Sequence, residues 1–135
     1  MLRGVRAAPG LGLARAATPA DFDLLAGHTA ALAGLTAAER RDLAARTLIS
    51  PAPTGAVIIR RGDQSDAAYF IIEGRAIAGW DEEGGYRPLE TLSAGDFFGE
   101  IAALTGVPRT ANVIADQDST ILQVPAAVLR EMMAH

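Results

Sequence analysis

From residue 48 onward the chain is cut into short apolar runs by glycine, proline and aspartate, and this punctuation limits the fold more than any other feature. The runs fall at 48–49, 57–59, 69–72, 76–78, 89–92, 111–115 and 119–124. Each is too short for a stable helix and long enough for a strand. Between them stand Gly55, Gly62-Asp63, Gly74, Gly84-Gly85 and Gly95-Asp96, residues that accept the backbone angles of tight turns. Many short strands with close turns predict a small antiparallel barrel or a double-sheet jelly roll.

The region before residue 48 has a different texture. Residues 1–17 are rich in Ala, Gly and Arg, with Arg3, Arg6 and Arg15 and no acid. The stretch superficially resembles a transit peptide. It reads more simply as a flexible tail or linker, or as an overlong start. Thr18-Pro19 then predicts a helix start, with threonine as cap and proline in the first turn. Phe22, Leu25, Thr29 and Leu32 fall on one face, interrupted by Gly27 and Gly34. Thr36 and Glu39 stand at capping-box spacing and open a second helix, expected to run to about Arg46. Leu43 faces inward there, and Glu39, Arg40, Arg41 and Asp42 form a solvated outer face. At the other end Pro125 predicts a last helix, with Val128, Leu129, Met132 and Met133 buried as ordinary core.

Residues 97–111 break the strand pattern, reading as one helical turn between two strands. Gly99 has no Cβ and lets another molecule come close to the backbone. A helix starting at Glu100 aims free N–H groups at that space, a donor set suited to phosphate. Arg109 adds a planar fork of donors that fits two phosphate oxygens. Glu100 offers an acceptor for a sugar hydroxyl. Together these groups suit a small sugar phosphate. The plainer alternative is a surface ion pair between Glu100 and Arg109 beside an ordinary turn.

Composition narrows the rest. A chain of 135 residues is one domain with room for a real core. Half of it is hydrophobic, yet no apolar run is long enough to span a membrane. Net charge is −4 and the pI about 5.1, so a general basic surface for nucleic acid is not expected. No cysteine means no thiol nucleophile, disulfide framework or thiolate metal site, which agrees with a cytoplasmic location. His28 and His135 are the two histidines, too few and too far apart in sequence for a metal centre or a metal-dependent enzyme of the cupin kind.

The stretch Gly99-Glu100-Ile101-Ala102, followed by Pro108-Arg109-Thr110-Ala111, resembles the phosphate-binding cassette of the cyclic nucleotide-binding domains. It departs at Ala103, where that family usually has a larger aliphatic. Glycines matching Gly55, Gly62, Gly74 and Gly95 extend the resemblance from about Leu32 to the end. The resemblance implies a mainly β fold with flanking helices, an antiparallel β-roll. Residues 18–47 would form N-terminal helices, 48–124 the β-roll with its short cassette helix, and 125–135 a C-terminal helix. Residues 18–135 would then be the binding domain. It implies cAMP or cGMP as ligand, with no cofactor and no chemistry performed. Gly99 and the amides of Ile101 and Ala102 would take the phosphate, Arg109 would neutralise it, and Glu100 would accept from the ribose 2′-hydroxyl. Thr110 would reach the phosphate or the base, and Ala111 would close the cassette. Ala78 and Leu89 would touch the purine, while Trp80 is expected to pack rather than stack on a base.

Members of this family usually continue into a lid helix and an output unit. The chain stops short of both, so its output is expected from a further domain or a separate partner, without direct DNA binding and with oligomerisation open. A nucleotide-free structural or interaction module of the same fold, or a jelly-roll enzyme, are the alternatives.

Overall fold

The computed structural model describes residues 11–26, 34–64 and 66–134. In chain order the elements are β1 (Arg15–Ala16), α1 (Pro19–Ala26), α2 (Ala37–Ala45), β2 (Leu48–Ala52), β3 (Val57–Ile59), β4 (Ala67–Glu73) and β5 (Arg75–Glu82). There follow β6 (Gly85–Ser93), β7 (Phe97–Phe98), α3 (Glu100–Thr105), β8 (Asn112–Ala115), β9 (Ser119–Pro125) and α4 (Ala126–Met133). The strands make two antiparallel sheets, one ordered β1-β2-β9-β4-β7 and the other β3-β8-β5-β6. The turn spacing predicts antiparallel sheets of this kind, and the arrangement is the β-roll that the resemblance implies.

Two strands, β4 and β9, carry the architecture. Successive side chains on a strand point to opposite faces. On β4, Phe70 faces the helices while Tyr69 and Ile71 face the space between the sheets. On β9, Leu122 and Val124 take the helix side and Ile121 the inter-sheet side. Strands buried on both faces read as continuous apolar runs, which is why 69–72 stands out in the sequence.

The helices close the outer face of the five-stranded sheet. Thr18 Oγ1 accepts from the Asp21 amide (3.1 Å) and Asp21 accepts from the Thr18 amide (3.0 Å), fixing the start of α1. Phe22 and Leu25 are then fully buried. Thr36 and Glu39 form the expected reciprocal cap on α2, and Leu43 and Ala44 turn inward. Arg46 joins α2 to α4 through Asp42 (2.8 Å) and Glu131 (2.6 Å). Gly27, His28, Thr29, Leu32 and His135, and residues 1–10, lie outside the described residues.

Several elements differ from the sequence reading. The sequence reads 1–17 as a flexible tail or linker, but within it Arg15 and Ala16 pair with Ile49 and Leu48, and Ala17 is buried. The Gly12 amide also donates to the Pro51 carbonyl (2.7 Å). These are backbone contacts, and an Ala/Gly-rich stretch gives no side-chain pattern to reveal them. Trp80 lies inside β5. There its indole donates to Glu82 (3.0 Å), and the Arg61 guanidinium sits 5.3 Å from its ring centre. Met133, expected in the core, is 60% exposed. Val128, Leu129 and Met132 lie within one stripe of a 100° per residue wheel, and Met133 falls past its edge. Met132 is buried as expected.

Candidate functional site

The short strand β7 delivers the chain into a left-handed residue, Gly99 (φ 78°, ψ 4°), which starts α3. A Cβ at Gly99 would sit 2.7 Å from Arg109 Nη1, so glycine serves both the backbone angle and the space beside it. The first amide of α3 with an intrahelical partner is that of Ala103, which donates to the Gly99 carbonyl (3.0 Å). The amides of Glu100, Ile101 and Ala102 precede it, and such first-turn donors have no partner within the helix. Gly106, also left-handed (φ 75°), ends α3 and returns the chain through Val107-Pro108 to Arg109.

Arg109 is held at four points. Its amide donates to the Asp63 carbonyl (3.0 Å) and its carbonyl accepts from the Gly62 amide (2.8 Å), tying it to the turn after β3. Its guanidinium donates from Nη1 to the Gly99 carbonyl (3.0 Å) and from Nη2 to the Ala67 carbonyl. Strand β7 pairs with β4 only at Tyr69 and Phe70, so Arg109 supplies a donor to the β4 backbone beyond the end of that pairing. The guanidinium also lies 5.7 Å from the centre of the Tyr69 ring. Burial pushes the Tyr69 phenol up to about 12, against the opposing pull of the Arg109 charge. Arg109 is only 7% exposed. Among the described residues it forms no ion pair with Glu100, so the surface-pair alternative is not what the fold contains.

Between these groups and the four-stranded sheet lies a cavity of about 380 Å³, within the range of small-ligand sites. Eight of the nine sequence-predicted site residues line it: Ala78, Gly99, Glu100, Ile101, Ala102, Arg109, Thr110 and Ala111. Ile101 and Thr110 are exposed at its mouth. Leu89 is the exception. It points away and is half exposed, while its neighbours Glu90 and Leu92 line the cavity. The cause is strand phase. Leu92 is buried, so positions two apart on β6 share its inward face. That signal was present in the apolar pattern and points to Glu90, one residue from the expected position. Ile59, Phe98 and Val113 complete the apolar wall. Among the described residues no three His, Cys, Asp or Glu side chains group to hold a metal ion. Among them, too, no helix is long and apolar enough to cross a membrane.

Residues 50–135 match the family model of the cyclic nucleotide-binding domain. The chain belongs to that family. A cyclic nucleotide-gated potassium channel of Rhizobium etli is 42% identical over 74 residues, covering 55% of this chain and 19% of the channel. A cAMP-dependent protein kinase regulatory subunit of Pyricularia oryzae is 30% identical over 102 residues, covering 76% of this chain and 26% of the subunit. Among solved structures, the regulatory domain of Toxoplasma gondii PKA with cAMP superposes with a TM-score of 0.70 at 29% identity. It covers 85% of this chain and 45% of that one. The chain thus spans about a quarter or less of these curated relatives' length. The family is one of regulatory ligand-binding domains, and it carries the β-roll seen here.

Proposed function

We propose that this chain is a cyclic nucleotide sensor whose cavity binds cAMP, with cGMP as the competitor, and that it performs no chemistry on the ligand. The observation that carries this reading is convergence: one cavity gathers a buried arginine, the first turn of α3 and a facing apolar sheet. The cyclic phosphate would sit against Gly99 and the amides of Ile101 and Ala102, with the Arg109 charge behind it. Glu100 would accept from the ribose 2′-hydroxyl, and the base would lie toward Ala78, with Thr110 and Ala111 at the cassette's end. The relative solved with cAMP supports adenine over guanine. The working unit is residues 18–135, extended at its sheet edge by Arg15–Ala16. Its state would be passed to a further domain or a partner protein in the cytoplasm. A ligand can shift such an output only by binding its two states unequally.

One observation favours a second reading, a nucleotide-free module of the same fold. The guanidinium already gives hydrogen bonds to two carbonyls, so it has a structural task without any ligand. Thermal unfolding and calorimetric titration of the chain with cAMP and with cGMP separate the two. At ligand near a hundred times Kd, the gain in stability is about 2.7 kcal/mol. A folded sample that shows neither heat nor a melting shift at millimolar nucleotide supports the ligand-free module instead.

A further inference from the structure

We infer that Glu90 reads the 6-position of the bound purine, accepting a hydrogen bond from the 6-amino group of adenine and disfavouring the 6-carbonyl of guanine. The inference rests on the nucleotide reading above and adds a specificity-determining residue to it.

Register places the carboxylate. On the wall formed by β5 and β6, Ala76 pairs with Leu92 and Ala78 pairs with Glu90. Ala76 and Leu92 are buried, and the Ala78–Glu90 pair is the next one on the same face toward the open end. Both Ala78 and Glu90 line the cavity. Alanine opposite glutamate leaves room above the small side chain, where a flat ring can lie beside the carboxylate.

Chemistry gives the placement its meaning. The phosphate-binding groups lie on β7, α3 and the Arg109 segment, across the cavity from this wall. Of the residues that the four-stranded sheet contributes to the cavity, Glu90 alone is charged. Among the described residues no ion pair or side-chain hydrogen bond holds it. A carboxylate accepts and does not donate. The only base donor in adenine is its 6-amino group, so an acceptor at the base end has one group to meet. Guanine carries an oxygen at the same position, where two facing acceptors repel; its donors, N1–H and the 2-amino group, lie farther along the edge, and a carboxylate that met those would favour cGMP instead. Near an anionic phosphate a second negative charge is a cost, and a base donor offsets it.

The test uses the chain with cAMP, cGMP and N6,N6-dimethyl-cAMP, whose base has no N–H. Wild type, Glu90→Gln and Glu90→Ala are titrated in parallel, with melting curves to confirm that each is folded. A hydrogen bond to a charged acceptor predicts about a tenfold preference of wild type for cAMP over the dimethyl analogue. Glu90→Ala should bind those two alike. Glu90→Gln should lower the preference for cAMP over cGMP by about tenfold, because an amide turned either way meets an amine or a carbonyl. If both variants keep the wild-type ratio within a factor of about two, or if the preference moves toward cAMP, Glu90 does not read the 6-position. If wild type binds no cyclic nucleotide, the sensor reading fails first and this inference with it. Parallel losses for all three ligands overturn the inference alone.

Discussion

The two faces of the strand pair β4–β9 wall two cores of different character. On the helix side the filling is large: Phe22, Leu25, Phe70, Leu122, Leu129 and Met132, all essentially inaccessible to water. Between the sheets, Tyr69, Ile71, Leu92, Phe98 and Ile121 are buried with alanines at 52, 67, 76 and 115, against alanines at 17, 44, 68 and 103 on the helix side. The two faces hold alanine alike, and they differ in that the inter-sheet space opens at one end. That end is the cavity, and the buried Arg109 sits at its edge. Protein interiors are normally close-packed, so space withheld at one position marks where a second molecule fits. The helix-side core is closed, and the inter-sheet core opens into the cavity that the proposed nucleotide would fill.

The largest effect should come from emptying the helix side. Phe70→Ala removes a fully buried ring and should cost about 3–5 kcal/mol. Urea unfolding should show a lower midpoint at an unchanged slope. Nucleotide affinity of the remaining folded protein should stay within a factor of about two. A change in affinity as large as the change in stability would mean that the two cores are not separable.

Arg109 belongs to both sides of the comparison and should show a divided effect. Arg109→Leu strands two carbonyls that the guanidinium now serves, a cost of about 1–3 kcal/mol in the ligand-free protein. It should also weaken cyclic nucleotide binding by on the order of a hundredfold, about 3 kcal/mol. Arg109→Lys should recover only part of either, because an ammonium lacks the planar fork. Melting curves and titrations on the same two variants measure the division. A stability loss with unchanged affinity would assign Arg109 to the core alone.

The smallest effect sharpens the comparison at high pH. The chain has two tyrosines, and burial raises the phenol of each, Tyr69 to about 12 and Tyr86 in the same direction. Between pH 10 and 12 the unfolded chain has lost protons that the folded chain keeps, so stability falls as pH rises through that window. For Tyr69 the full loss is on the order of 2 kcal/mol. Tyr69→Phe should flatten the dependence on pH while leaving the Leu122 side of the sheet unaffected. A stability curve equally steep in the variant would move the titrating group elsewhere.

How much was legible before the structure follows from what each feature depends on. Helix starts at Thr18 and Thr36 are local, made by side chains three residues apart, and they appear where the residues stand. The cassette is nearly as local, since Gly99 to Ala111 is one continuous stretch and its turns need glycine at fixed places. Leu89 and Met133 failed on phase alone. A one-position slip on a strand reverses the face, and Met133 lies just past a helical stripe.

What the sequence by itself determined is therefore the β-roll, its caps and turns, and the residue types gathered at the site. Periodicity, glycine and capping act within a few positions and leave a trace in order. What only the tertiary structure decided is what those residues touch. The strand at Arg15–Ala16 exists because β2 offers it unpaired backbone. The Arg109 guanidinium turned to Ala67 and Gly99 because β7 ends before it reaches Ala67 and Gly99 leaves room. Glu90 entered the cavity because its partner Ala78 shares that face. Each of these depends on a segment distant in the chain brought alongside by folding, and distance in sequence carries no pattern from which that contact is read.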